Sequence, residues 1–450
     1  MKVLLVSTNT LTEPYPPYPI GLDYVRSAIS PPHQVKIVDM NELKCGEALA
    51  GVLSQYSPDI IGLSIRNIDN MDEANVKTFI EDIREIIGII RSCSKGLIVL
   101  GGSGFTILPG EFMSRLDADF GIVGEGERLQ LLLRALEKNE CLSGIPGIVT
   151  GTGTVEFPEP WPQSFHRGFC QDNSHTSFYL KRGGMLNLQT KRGCPFKCVY
   201  CTYPAIEGKR FRFAPPVKVA ETAKMLQDAG AKYLYITDAT FNGSYEHSLK
   251  VAAAFKKAGV SIPWGGFFTP LYLPMPDYYR ILADAGLRHV EFGTEALSDS
   301  ILDSYGKPFR IDDVVASHRA AAAANLHVAH YLMLGGPGED KDTVQETLAN
   351  ADGLEKSIFF VFSGVRIYPR TVLYDLAVKE GQIGSHGNLL EPSFYWSPKV
   401  RRETVTELVK THAGNRMNWV IGAVSPQTLK GLARLHARGH IGPLWEQLIR

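Results

Sequence analysis

Lys191-Arg-Gly-Cys-Pro-Phe-Lys-Cys-Val-Tyr-Cys201-Thr-Tyr-Pro204 carries three cysteines, Cys194, Cys198 and Cys201, spaced C-x3-C-x2-C. Three thiolates this close suit three irons of a 4Fe-4S cluster, which is normally held by four. With three supplied locally, one iron keeps an open position, and an open position is a place for chemistry. Zinc sites favour C-x2-4-C pairs with a second pair of Cys or His elsewhere. Here Cys45, Cys93, Cys141 and Cys170 are scattered singly. Zinc, or a cluster closed by Cys170 as fourth ligand, stays open as an alternative. Three clustered cysteines cannot all pair, and nothing marks secretion, so a disulfide reading is weaker.

Outward from the cysteines, the pattern alternates. Leu186–Thr190 reads as a strand feeding the loop. Downstream strands are expected at Tyr233–Ile236, Trp264–Phe268, His289–Phe292, His327–Met333 and Phe359–Gly364. Helices are expected at Pro216–Ala229, His247–Ala258, Pro276–Ala285, Asp312–Ala324 and Asp342–Ala351. This repetition suits a partial (βα)6 TIM-like barrel over residues 186–385, with active residues at the carboxyl ends of its strands. Thr237 and Asp238 follow the second strand, Glu295 the fourth, Gly335-Gly336-Pro337 the fifth and Arg366 the sixth. Asp238 could equally cap a helix.

Residues 1–150 read as a separate α/β domain. Val3–Val6, Val35–Val38, Ile60–Ser64, Leu97–Leu100 and Phe120–Val123 are short, β-branched and without strict alternation, as in parallel strands buried on both faces. Asn75–Ser92 has helical spacing. The sheet is expected to be doubly wound and Rossmann-like, with a ligand at the carboxyl ends of its strands. Polar and glycine residues gather there: Ser7 and Thr8; Ser64, Arg66 and Asn67; Gly101, Gly102 and Ser103; Gly124, Glu125 and Gly126. No G-x-G-x-x-G follows the first strand, so a dinucleotide is not indicated. Residues 151–185, rich in Pro, Gly, Ser and aromatics, read as a linker. Residues 386–450 read as a mostly helical third piece, with helices near Arg401–Val420 and Gln427–Arg438. Its Phe394, Tyr395 and Trp396 would cover the barrel mouth or touch substrate.

Lys plus Arg equals Asp plus Glu, 47 each, which argues against a phosphate-binding nucleic-acid protein. The amino terminus has no signal-peptide pattern, and no apolar run reaches spanning length. A cytoplasmic protein with reduced thiols is expected.

The cysteine run, with an aromatic before its last Cys, resembles the radical SAM superfamily. In that family the open iron binds S-adenosylmethionine (SAM), and cluster reduction cleaves it to a 5′-deoxyadenosyl radical. Gly335-Gly-Pro-Gly-Glu339 resembles the family's Gly-x-Pro-Gly-Glu turn, and Arg366-Ile-Tyr-Pro-Arg-Thr371 its Tyr-Pro-Gly-Thr, with Arg370 in place of Gly. Lys307 stands where relatives carry a Lys. The resemblance implies SAM contacts from Tyr200, Thr237, Asp238, Glu295, Gly335, Gly336, Pro337 and Arg366. The Gly-Gly-Glu of many members is missing. Pro17-Tyr-Pro-Ile-Gly-Leu22, Leu100-Gly-Gly-Ser103 and Val123-Gly-Glu-Gly-Glu127 resemble the cobalamin-binding domain that precedes many such cores. That implies cobalamin contacts from Ser7, Thr8, Pro19, Gly21, Ser64, Arg66, Asn67, Gly101, Gly102, Ser103, Gly124, Glu125 and Gly126. D-x-H-x-x-G is absent, so cobalamin would bind base-off, with Arg66 a candidate for its lower face. A surface role is the alternative for Arg66. Together the resemblances imply C-methylation of an unactivated carbon in a small molecule, with an external one-electron reductant and a monomeric enzyme. Radical ring contraction, cyclisation or oxidation without methyl transfer is the alternative, and a cobalamin sensor with a relic cluster is another. The catalytic residues and the substrate are not legible at this stage.

Overall fold

The computed structural model describes residues 1–449 except 13–14, 143, 152–154, 163–164, 171–173, 386 and 423–425. Parts of the expected linker, 151–185, therefore lie outside the described residues.

The amino-terminal sheet contains β1 (Lys2–Ser7), β2 (Gln34–Asp39), β3 (Ile60–Ser64), β4 (Leu97–Gly101), β5 (Phe120–Ile122) and β6 (Ile148–Thr150), in the order β2-β1-β3-β4-β5-β6. The first five are parallel. β6, which the sequence pattern does not reveal, pairs antiparallel with β5 at the edge. Both faces are covered, which is why the strands read as continuous apolar runs. Leu4 and Val6 pack with Ile83, Ile86, Ile87 and Ile90 on one face. Val3 and Leu5 pack with Leu22, Leu129, Leu132 and Leu133 on the other.

The helix expected from Asn75 begins at Ile80 and runs to Cys93. Before it, Asp72 accepts from Ala74 N at 3.1 Å and caps a 3-10 turn, and Asp69 bridges Thr78. The Asp72 side-chain bond and the backbone bridge between Asp69 and Thr78 offer the backbone an alternative to helix. They also hold out the acidic residues of this excursion for the second domain.

The second sheet contains β7 (Met185–Leu188), β8 (Tyr233–Ile236), β9 (Trp264–Phe268), β10 (Leu287–Glu295), β11 (His327–Leu334), β12 (Ser357–Ser363) and β13 (Trp419–Ile421), ordered β13-β12-β11-β10-β9-β8-β7. All neighbours are parallel. Leu186, Leu234, Ile236, Trp264, Val290 and Phe292 pack outward against the helices, including Pro216–Asp228 and Tyr245–Ala258. The intervening residues face the concave side. Gly265 makes that curvature possible: a Cβ there would stand 2.2 Å from the Tyr233 hydroxyl. That hydroxyl instead crosses β9 to His289 Nδ1 at 2.9 Å.

The tail departs from the expected helical cover. Its first helix is Arg402–Ala413 and stops at Gly414, whose φ of 54° suits a helix end. Val420, expected in that helix, lies in β13, which extends the barrel sheet. Its second helix is Pro426–Ala437.

Candidate active site between the two sheets

The cysteine loop leaves β7 at the carboxyl end of its sheet. Cys194 is buried and Cys198 and Cys201 are half-buried. The loop is pinned by backbone bonds from Cys194 N to Gly208 O at 3.0 Å, Val199 N to Tyr305 O at 3.0 Å and Cys201 N to Cys198 O at 3.2 Å. Gly193 has a φ of 81°, and a Cβ there would meet Arg210 O at 2.1 Å, so only glycine fits.

Burial, with the neighbouring Cys198 and Cys194 adding to it, pushes the Cys201 thiol up to about 12. Such thiols ionise only against cations, and metal ions supply them. Among the described residues no three His, Cys, Asp or Glu side chains converge closely enough for one metal ion. The three thiols on one loop suit a cluster, whose irons take separate ligands.

Beside Cys198, three side chains close a ring. Tyr200 Oη donates to Glu295 Oε1 at 2.9 Å, and Lys307 Nζ reaches Tyr200 Oη at 3.0 Å, Glu295 Oε1 at 3.1 Å and Cys198 Sγ at 4.0 Å. Burial alone would lower the Lys307 pKa, but Glu295 and Cys198 outweigh it and raise it. Glu295 sits at a φ of 65°, an uncommon conformation for a non-glycine residue and one that collects at functional sites.

The turn after β11 lies next to this ring. Gly335 and Gly336 N–H groups both point to Glu339 Oε2, the second at 3.1 Å. Ser304 Oγ donates to Pro337 O at 2.7 Å. A Cβ on Gly336 would meet the Tyr305 hydroxyl at 2.2 Å. Thr237 is held to Leu188 O through its N–H at 2.8 Å.

Three expected contacts have their polar atoms engaged elsewhere. Asp238 is saturated by Thr190 N at 2.7 Å, Thr190 Oγ1 at 2.5 Å and Lys191 Nζ at 2.8 Å. It orders the start of the cysteine loop. Arg366 pairs with Asp69 at 2.9 Å and donates to the Ile367, Ser393 and Leu389 carbonyls, so it joins the two domains. Glu125 also joins them, taking Arg192 at 2.5 Å and Arg212 at 3.0 Å on one oxygen and Trp161 N on the other. Trp396, expected as cover or substrate contact, packs over Gly335 and Gly364 and donates to Glu73 at 3.3 Å.

In the first domain, Gly21, Ser64, Gly101, Gly102 and Gly126 line one slot with apolar neighbours such as Leu5, Val25 and Val99. The opening is kept by small residues: nothing stands within 4 Å of a Cβ on Gly21. A narrow apolar slot entering between strand ends fits the flat nucleotide base of cobalamin. Pro19 leads into the adjoining helix Ile20–Ala28. Thr8 Oγ1 donates to Ser64 O at 2.9 Å, Ser103 Oγ to Arg66 O at 3.1 Å, Asn67 Nδ2 to Asn9 Oδ1 at 3.3 Å, and Gly124 N to Thr106 Oγ1 at 3.0 Å. Ser7 is buried next to Asp39.

Arg66 is exposed to solvent, and the charges of Tyr203, Tyr15, Tyr179 and Tyr235 act on it across the two sheets. Tyr203 follows Cys201 by two residues, and the helix Ser103–Ile107 packs on the helix Tyr203–Ile206. The loop that carries Arg66, tied to Ser103, and the cysteine loop, which leads into Tyr203, thus border one space between the two sheets. Tyr15, Tyr203, Tyr235 and Glu291 of this space were not singled out from sequence. The alternation in Tyr233-Leu-Tyr235 and in His289-Val-Glu291 was the available signal.

Comparison with known proteins agrees with this arrangement. The B12 binding domain profile matches residues 7–133, and that of the Radical SAM superfamily matches residues 188–351. An uncharacterized methyltransferase of Pyrococcus horikoshii is 26% identical over 370 residues, covering 80% of this chain and 78% of its own. Tryptophan 2-C-methyltransferase of Streptomyces laurentii is 22% identical, covering 82% and 73%. The radical S-adenosylmethionine methyltransferase TsrM of Kitasatospora setae, solved with cobalamin and a [4Fe-4S] cluster, superposes with a TM-score of 0.86 at 21% identity, over 99% of this chain and 97% of that one. At that identity the superposition speaks for the fold. A radical SAM domain implies a 4Fe-4S cluster and SAM, and a B12-binding domain implies cobalamin. The chain therefore carries a Radical SAM superfamily domain over residues 188–351, with a B12 binding domain in front of it over residues 7–133.

Proposed function

We propose that this protein is a cobalamin-dependent radical SAM methyltransferase that methylates an unactivated carbon of a small molecule. The observation that carries this reading is the packing of the helix Ser103–Ile107, at the glycine-lined strand ends of the first sheet, on the helix Tyr203–Ile206 that follows the cysteine loop. When bound, the reduced cluster and SAM supply the radical that takes a hydrogen atom from carbon, and methylcobalamin supplies the methyl group.

The chain's part is to bind, orient and exclude water. Cys194, Cys198 and Cys201 hold the cluster. Tyr200, Thr237, Glu295, Gly335, Gly336 and Pro337 contact SAM. Asp238 and Arg366 act as positioning residues, because their polar atoms are already engaged. Lys307 neutralises Glu295 beside Cys198. Ser7, Thr8, Pro19, Gly21, Ser64, Arg66, Asn67, Gly101, Gly102, Ser103, Gly124 and Gly126 form the cobalamin cradle. The Arg66 guanidinium stays protonated, so it would not be a metal ligand and would keep water from the side of the group it faces. Glu125 stands behind the cradle and ties it to the cysteine domain.

The enzyme works as a cytoplasmic monomer fed by a one-electron reductant of flavodoxin or ferredoxin type, and it binds no nucleic acid. Among the described residues no helix is long and apolar enough to cross a membrane. Product mass spectrometry with methyl-labelled SAM tests the reading. The label should appear on a carbon of the product. A rearranged or oxidised product without label would contradict it.

A further inference from the structure

The concave face of the barrel carries a group of side chains that neither cofactor is assigned. Along β10, Glu291 and Glu295 face inward while Val290 and Phe292 pack on the helices. Around Glu291 the inward rings touch one another. Tyr235 and Phe267 have centroids 5.9 Å apart, Phe267 and Tyr331 5.6 Å, and Tyr331 and Phe360 4.9 Å. The Phe362 ring is nearly parallel to that of Tyr331, at 4° and 6.4 Å between centroids. Tyr15, from the loop after β1, stands 5.9 Å from Tyr235. These rings are not packed shut. Phe267 is 37% exposed, and Tyr15, Tyr331, Phe360 and Phe362 are half-buried although they point into the barrel. They enclose a hollow.

The floor of the hollow is polar. Glu291 is fully buried, and its Oε2 accepts Tyr331 Oη at 2.9 Å and Tyr235 Oη at 3.1 Å. Its Oε1 accepts Trp445 Nε1 at 3.2 Å, from the C-terminal turn Trp445–Leu448. The indole only donates, and each tyrosine has one proton to give. With those protons committed to the carboxylate, the tyrosine oxygens offer only lone pairs to a guest. Tyr331 is the accessible one. Aromatic walls favour flat guests by offset stacking and edge contacts. A site built to accept a hydrogen bond rejects an analogue that lacks the donor.

We propose that this hollow is the substrate chamber, and that it selects a planar ring system bearing an N–H or O–H donor. The inference rests on the methyltransferase reading and names its substrate class. Glu295, at the cysteine-loop end, is four residues up the same strand, about 13 Å from the floor. The donor end of the guest would anchor at Tyr331, leaving the rest of the ring system toward the cofactors.

Isothermal titration calorimetry on the anaerobically reconstituted holoenzyme tests this with 2-naphthol, 2-methoxynaphthalene, decahydro-2-naphthol and tetramethylammonium chloride. 2-Naphthol should bind about tenfold more tightly than its methyl ether, which lacks the donor. It should also bind up to about tenfold more tightly than the saturated alcohol, which lacks the flat face. Tyr331→Phe, which keeps the ring, should collapse the gap between naphthol and ether and keep the preference for planarity. Equal binding of naphthol and ether by the unaltered enzyme, preference for tetramethylammonium, or no binding of any probe would overturn the proposal. Transfer of labelled methyl from SAM to bound cobalamin needs no guest in the chamber. If that transfer occurs while naphthol fails to bind, the chamber is wrong and the methyltransferase reading stands; the reverse pattern would sink the reading alone.

Discussion

Lys307 lies between a carboxylate and a thiol, and its charge serves both. Its side chain is 6% exposed and that of Glu295 12%. Removing one partner of such a pair leaves the other buried and uncompensated, at about 3–5 kcal/mol. Lys307→Met should therefore lower the urea midpoint. A cation beside a cluster favours its reduced form, so the same variant should shift the cluster potential to more negative values in a redox titration. Cys194, Cys198 and Cys201, replaced singly by Ala, should each abolish the visible cluster band after anaerobic reconstitution, while Cys170→Ala and Cys141→Ala retain it. Arg66→Ala should keep cobalamin but give a five-coordinate, water-ligated Co(II) signal in electron paramagnetic resonance, because the lower face then opens to water. An unchanged signal would assign Arg66 a different task. The cysteines were legible because spacing along a chain is itself ligand geometry. Glu291 and Tyr331 were not, because their meaning depends on which residues three strands bring opposite one another.

The turn Gly335–Glu339 shows what one element adds. Burial pushes the Glu339 carboxyl up to about 7, against the opposing pull of the Gly335 and Gly336 amides and Tyr305. The folded chain thus binds this proton more tightly than the unfolded chain, where Glu titrates near 4.5. The stability linked to it is full below that value, declines as pH rises to about 7, and is constant above. Relative to Glu339→Gln, which cannot titrate, the unaltered protein should lose up to about 3 kcal/mol across that window in pH-dependent urea unfolding. A difference independent of pH would place the proton elsewhere. Most strands were legible as short apolar runs between helical spacings. β6 and β13 were not, since three-residue edge strands carry too little pattern. The sequence reading runs the helix past Gly414 to Val420, whereas Gly414 ends it and frees Trp419–Ile421 to form β13. The late start of the Ile80–Cys93 helix was hidden for another reason: Asp69 and Glu73 are held out to meet Arg366, Trp396 and Arg402.

At the scale of the molecule, buried polar pairs bind the two domains into one body around the shared space. Arg366 meets Asp69, Arg192 meets Glu125 and Glu127, Tyr179 meets Asp39 at 2.8 Å, and Tyr18 N meets Asn187 Oδ1 at 3.0 Å. None of these pairings is visible in sequence, because the partners are far apart along the chain; Arg366 and Glu125 read there as cofactor contacts instead. Asp69→Ala leaves the Arg366 guanidinium buried with carbonyls but no counter-charge. It should cost about 3–5 kcal/mol and speed proteolysis between the domains. Iron binding should survive better than cobalamin binding, since the cysteine loop is held within its own domain. The two-cofactor reading of the shared space is tested most directly by incubating the reduced, cobalamin-loaded enzyme with methyl-labelled SAM in the absence of any substrate. The account predicts that the label is recovered on the protein-bound cobalamin. Label recovered only in methionine, alongside 5′-deoxyadenosine, would contradict it.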